Sequence, residues 1–128
     1  MPASVSHNIR VSVLARYEPA QSTPGEARFI FSYRITIANL GPHTVQLLAR
    51  HWVITDSLAP RTEVEGPGVV GAQPVLAPGE QYTYTSFCPL RSGMGRMEGT
   101  YRMRDLETGR EFLAEIPPFG LHLPHAAN

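Results

Sequence analysis

The sequence predicts an all-β fold, an immunoglobulin-like antiparallel β-sandwich of seven or eight strands. Three observations lead there. Apolar and polar residues alternate with a period of two through most of the chain, the pattern of strands with one buried face. Gly- and Pro-rich turns separate the alternating segments at regular intervals. No window carries a helical stripe over three turns.

The first strand runs from Ile9 to Tyr17, with Ile9, Val11, Val13, Ala15 and Tyr17 on one side. The second, Arg28 to Ala38, sets Phe29, Phe31, Tyr33, Ile35 and Ile37 opposite Arg28, Ser32, Arg34 and Thr36. Asn39-Leu40-Gly41-Pro42 then turns the chain. Thr44 to Asp56 is apolar on both parities: Leu48, Trp52 and Ile54 on one, Val45, Leu47, Ala49 and Val53 on the other. Such a segment is either a strand covered on both faces or one with a bulge, and Trp52 anchors the core. Thr62-Glu63-Val64-Glu65 reads as a short strand near an edge. Leu76-Ala77-Pro78-Gly79-Glu80 places Pro before Gly, as a type II turn requires. The Tyr- and Thr-rich segment Glu80 to Phe87 has a strand composition. Met97, Gly99, Tyr101 and Met103 alternate with charged or polar neighbours, and Asp105 to Arg110 forms a hairpin loop. Glu111 to Ile116 closes the set.

The whole chain, residues 1–128, forms one domain, with its core over about residues 8–120, a flexible N-terminus and a flexible tail over 121–128. Its 11 Arg balance 11 acidic residues with no Lys, which gives a net charge of zero. That balance removes the argument from a basic field for nucleic-acid binding, and no specific nucleic acid is expected. No apolar run nears the roughly 20 residues of a membrane span, so no membrane insertion is expected. The N-terminus lacks the charged and apolar regions of a signal peptide, and a cytoplasmic location is expected. The single Cys88 makes no intrachain disulfide and reads as a buried, inert thiol.

Gly66-Pro67-Gly68-Val69-Val70-Gly71 matches the spacing G-x-G-x-x-G, in which glycines admit a pyrophosphate to the backbone and a helix N-terminus holds its charge. Pro74 and Pro78 exclude a helix here, and Pro67 removes one amide from the cradle. Gly66, Gly68 and Gly71 remain a candidate anion loop. His7, His43, His51, His122 and His125 are scattered, and no metal site is expected. Glu63 and Glu65 share a strand face, which reads as solvated rather than as a Mg²⁺ site. Arg91, Arg96, Arg102 and Arg104 surround Glu98, a local excess of three positive charges that reads first as a solvated face, since the whole chain is balanced, and second as a contact for phosphate or an acidic protein patch. No G-x-S-x-G or H-E-x-x-H pattern is present, so no catalytic residue is expected.

Several runs carry a family resemblance. Val45 to Thr55, Thr62 to Gly71, Gln73-Pro74, Leu76 to Glu80, Tyr84-Thr85-Ser86 and Met94 to Tyr101 together resemble the bacterial ApaG family. The likeness spans about Val11 to Pro124. It implies a fibronectin type III-like sandwich, and a glycine motif suspected of binding pyrophosphate or a nucleotide. It also implies an association with cobalt resistance and magnesium efflux. Related domains in an F-box adaptor and a DNA-polymerase-interacting protein imply protein recognition. The expected function is a non-enzymatic module that binds a protein partner and needs no cofactor. Dinucleoside polyphosphate binding at Gly66–Gly71 is the alternative. The chain is expected as a monomer or weak homodimer.

Overall fold

A computed structural model of the chain describes residues 1–124. Nine strands follow in order: β1 (Ala3–Ser6), β2 (Ile9–Tyr17), β3 (Phe29–Asn39), β4 (Val45–Asp56), β5 (Ala59–Pro67), β6 (Val75–Leu76), β7 (Gln81–Leu90), β8 (Met94–Asp105) and β9 (Glu111–His122). All pairs are antiparallel. One sheet has the order β1-β2-β3-β7; the other has the order β5-β4-β8-β9, with β6 added on β4. The predicted sandwich is therefore present. No helix among the described residues is long and apolar enough to cross a membrane.

Nine strands among the described residues exceed the expected seven or eight, the short β1 and β6 being the ones the alternation did not predict. Ala3 to Ser6 is not a flexible terminus. His7 and Asn8, at φ 49° and 64°, form a two-residue turn that folds β1 onto β2 with Ser6 opposite Ile9. The Ser4 hydroxyl donates to the Glu115 carbonyl at 2.8 Å, and the Glu115 amide donates to the Ser6 hydroxyl at 2.8 Å, so β1 also ties down the edge of β9. The expected tail from residue 121 is corrected likewise. Leu121 is 1% exposed within β9, and its burial holds the strand through His122. The Leu123 amide then donates to the Gly93 carbonyl at 3.0 Å, and residues 125–128, with His125, lie outside the described residues.

The inward rows of both sheets make one core. In β2 and β3 it takes Ile9, Val11, Val13, Phe31, Tyr33, Ile35 and Ile37, as the alternation predicts. Burying each such side chain contributes about 1.5–3 kcal/mol. Tyr33, Trp52 and Phe119 pack edge-on or tilted across the sheets at centroid distances of 5.4 to 5.9 Å. The hydroxyls of Tyr84 on β7 and Tyr101 on β8 bond to each other across the core. Tyr101 is fully buried, so each hydroxyl satisfies a group that water cannot reach.

A bulge accounts for the two apolar parities of β4. Leu47 faces Met103 and Ala49 faces Arg102, so Leu48 has no partner on β8. Before the bulge Val45 and Leu47 point inward; after it Trp52 does. The extra residue shifts the register by one and sends Leu48 and Ala49 to the outer side.

Candidate functional site

The bulged sheet carries a groove of about 640 Å³ on its outer face. Register places His51 opposite Glu65 and Thr100, and Ala49 opposite Pro67 and Arg102, with Arg102 opposite Leu113. These residues line the groove together with Leu48, Gly66 and Gln73. The groove thus sits beside the glycine motif, and the bulge connects the two. The Leu48 carbonyl accepts the Gly68 amide at 2.8 Å and the Gln73 side-chain amide at 2.9 Å. Gln46 Nε2 donates to the Gln73 carbonyl at 3.1 Å, which fixes the far end of the loop.

Each glycine of the motif has a local steric reason. A Cβ on Gly66 would lie 3.0 Å from Arg50 Nη1. One on Gly68 would lie 2.3 Å from the Ala72 carbonyl oxygen, and Gly68 has φ 61°. Val69 and Ala72 exchange both backbone hydrogen bonds, at 2.8 and 3.0 Å, around a tight turn with Val70 at φ 45° and Gly71 at φ 77°. Positive φ at both central residues is the geometry of a type I′ turn. Val70 is a strained choice there, because its branched Cβ crowds the backbone. No helix follows; the chain goes on to β6.

This arrangement constrains the candidate anion loop. The amides of Gly68, Val69 and Ala72 are held by protein carbonyls. Arg50, absent from the expected residues, lays its guanidinium over Gly66 and donates from Nη1 to the carbonyls of Pro67 at 3.0 Å and Gly68 at 3.1 Å. Part of the loop therefore turns its oxygens, not its amides, toward the Arg50 guanidinium. Arg102 faces the groove but also donates to Glu111 at 2.9 Å. Sequence reading missed Arg50, Leu48, Gln73 and Leu113. The one available signal was the broken parity of β4.

The other candidates separate. His51 Nε2 lies 2.9 Å from Glu63 and 3.7 Å from Glu65, so the two carboxylates share an outward face as expected. Among the described residues no group of three or more His, Cys, Asp or Glu is placed to hold a metal. Cys88 is 2% exposed, and burial pushes its thiol up to about 11. Thiolate chemistry is suppressed at such a value. His7 packs against Phe112 with its ring tilted, at a centroid distance of 5.4 Å, and His122 lies on β9. Arg96 pairs with Glu98 at 3.4 Å, so the Arg cluster is partly neutralised.

Two carboxylates brace opposite segments. The Asp56 carboxylate accepts the Arg91 amide and the Ser92 hydroxyl, each at 2.7 Å, and the Leu58 amide at 3.1 Å. Burial alone would raise its pKa, yet these donors hold it below the ordinary carboxyl value. Asp105 lies 2.7 Å from His43 Nδ1 and accepts the amides of Glu107 and Thr108 in its hairpin. The His43 hydrogen bond, then the charge of Asp105, raises the histidine; the same bond lowers Asp105.

Comparison with known proteins agrees with this architecture. The family model described as ApaG domain matches residues 19–105. A "Protein ApaG" from Paramagnetospirillum magneticum is 50% identical over 125 residues, covering 98% of this chain and 95% of its own. One from Anaeromyxobacter dehalogenans is 47% identical over 129 residues, with all of both chains covered. A crystal structure from Bordetella pertussis superposes with a TM-score of 0.88 at 43% identity, covering 98% of each chain. A protein from Archaeoglobus fulgidus, 8% identical, shares the fold alone at a TM-score of 0.53. With a family model over most of the sandwich and relatives matched along nearly their full length, the chain belongs to the ApaG family.

Proposed function

We propose that the chain is a non-enzymatic binding module that docks a partner protein along the groove between the glycine loop and β9. The observation that carries this reading is the groove's lining. Leu48 and Leu113 present apolar surface, and Leu113 is 53% exposed. His51, Arg102 and Glu65 set both signs of charge around it. Apolar contacts ringed by charge suit a polypeptide surface better than a small anion. In this reading the module works in the cytoplasm, and the family's association with cobalt resistance and magnesium efflux is indirect, through the partner.

The test is an affinity pulldown of the full chain from lysate, repeated with Leu113→Asp. A specific partner retained by the parent and lost by the variant, at unchanged thermal midpoint, supports the reading. Equal retention by both, or none after stringent washing, sinks it.

A dinucleoside polyphosphate at Gly66–Gly71 is the second reading, favoured by Arg50 and Arg102 beside the loop. The amides already held by carbonyls weigh against it. NMR titration with diadenosine tetraphosphate, with and without Mg²⁺, decides. Saturable shifts at the Gly66, Gly68 and Gly71 amides would promote it; their absence at millimolar ligand removes it.

A further inference from the structure

Three residues that line the groove can carry positive charge: Arg50, His51 and Arg102. Arg102 pairs with Glu111 at 2.9 Å, and His51 lies 2.9 Å from Glu63 and 3.7 Å from Glu65. Arg50 is different. It is half-buried, and among the described residues it bonds to carbonyls and to no carboxylate. A cation drawn partly out of water without a counter-ion marks a place where an anion would be held.

The backbone sets its position. Register puts Arg50 opposite Gly66 on β5 and Tyr101 on β8, on the parity of Trp52, so its side chain leaves β4 toward the other sheet. It does so on the side of the sandwich where β5 and β7 are the sheet edges. A Cβ on Gly66 would lie 3.0, 3.1 and 3.2 Å from Nη1, Nη2 and Cζ, near-equal distances that lay the guanidinium flat over the glycine. Nη1 donates to the carbonyls of Pro67 and Gly68. A guanidinium has five N–H groups. The other three, one on Nε and two on Nη2, have no hydrogen-bond partner among the described residues.

Tyrosines pack around this cation. Tyr33 meets Trp52 edge-on at 5.4 Å, Tyr84 and Tyr101 bond through their hydroxyls, and Tyr82 lies 6.4 Å from Tyr84. Burial raises the pKa of Tyr33, Tyr84 and Tyr101, and in each the positive charge of Arg50 pulls the other way, as it must from their side of β4.

We propose that the Nε and Nη2 edge of Arg50 binds a carboxylate at the opening between β5 and β7. That edge offers two parallel N–H···O bonds to one planar anion. Its anchorage on two carbonyls lowers the entropy lost in forming them. A phosphate fits worse. The amides of Gly68, Val69 and Ala72 are bonded to carbonyls, and the Pro67 and Gly68 oxygens stand beside the guanidinium. A dianion would meet one positive charge and two dipoles turned against it. Two sources share the carboxylate chemistry, a small free acid and a side chain or C-terminus of a partner protein. The inference stands apart from docking along the groove, since it needs neither Leu48 nor Leu113.

NMR titration of the nitrogen-15-labelled full chain tests it, with sodium acetate against sodium chloride at equal ionic strength. The expected result is a saturable shift of the Arg50 Nε–H signal with acetate, accompanied by the Gly66 and Gly68 amides. Chloride and inorganic phosphate should not produce it. Arg50→Lys keeps the charge but not the planar edge and is expected to weaken acetate binding about tenfold or more. Arg96→Gln, on the same sheet, is expected to leave it unchanged. The blocked peptide N-acetyl-Leu-Glu-Leu-amide separates the sources: binding tighter than acetate assigns the site to a polypeptide carboxylate, and equal or weaker binding assigns it to a small acid. No shift of the Nε–H signal with either probe overturns the inference, as does an equal response to chloride or a stronger one to phosphate. That signal is read in the parent chain, so the test holds even where Arg50→Lys fails to fold.

Discussion

The long strands of both sheets run nine to twelve residues, yet the two sheets are built differently. The β1-β2-β3-β7 sheet keeps one register through every pair. The β5-β4-β8-β9 sheet shifts register three times, at Leu48, between Ile54 and Asp56, and at Glu98. The groove, the glycine loop and Arg50 all lie on the irregular sheet. A regular ladder spends its side chains on alternating burial and solvation. An interrupted one frees a carbonyl or turns a side chain outward, and these are the parts from which a site is assembled.

The largest expected break in this contrast is Gly99→Ala. Its Cβ would lie 2.0 Å from the His51 carbonyl, inside the irregular sheet. A loss of about 3 kcal/mol in urea denaturation is expected. Gly25→Ala meets nothing within 4 Å and serves as the neutral control. Tyr101→Phe comes next, since it severs the bond between the sheets and strands the Tyr84 hydroxyl. It should cost about 1–3 kcal/mol, and adding Tyr84→Phe should recover part of that.

Asp56→Asn should cost about 1 kcal/mol at neutral pH by weakening the donor set at the β7–β8 turn. Because the folded pKa lies below the ordinary 3.8, the carboxylate's contribution is present above that value and fades as pH falls through the folded one. The gap between parent and variant in thermal midpoint should therefore close in acid. A gap constant with pH would show that charge is not the cause.

Val70→Asn works in the opposite direction. It relieves φ 45° and creates Asn-Gly, a favoured type I′ pair, for a gain of about 0.5–1 kcal/mol. The smallest effect is expected for His43→Gln. His43 titrates above its ordinary 6.5, so its pairing with Asp105 is fully present below that pH and is lost as pH rises through the raised value. Asp105 titrates below 3.8, which sets the acid limit. The variant should thus differ most from the parent between about pH 4 and 6.5 and converge with it in alkali. Midpoints that run parallel from pH 5 to 9 would contradict this.

Legibility follows the same division. Ile9 to Tyr17 and Phe29 to Ile37 show their buried rows in the alternation itself, because nothing interrupts the pleat. β4 shows only that something is broken: the two parities required either double cover or a bulge, and pairing across to β8 was needed to choose. β1 and β6 have too few residues to carry a period. The glycine motif could be read as a turn from Pro74 and Pro78. Its position in the lining of a groove could not, since Leu48, Gln73 and Leu113 meet there from three separate segments.

The bulge at Leu48 also bears on how such a site arises. One added residue reverses the parity of everything upstream in the strand while leaving Trp52 in the core. The same residue supplies the carbonyl that moors Gly68 and Gln73. A single-codon insertion or deletion at this point is therefore enough to create or erase the mooring. A sandwich of this kind can gain or lose its groove in one genetic step, without any change to the regular sheet opposite.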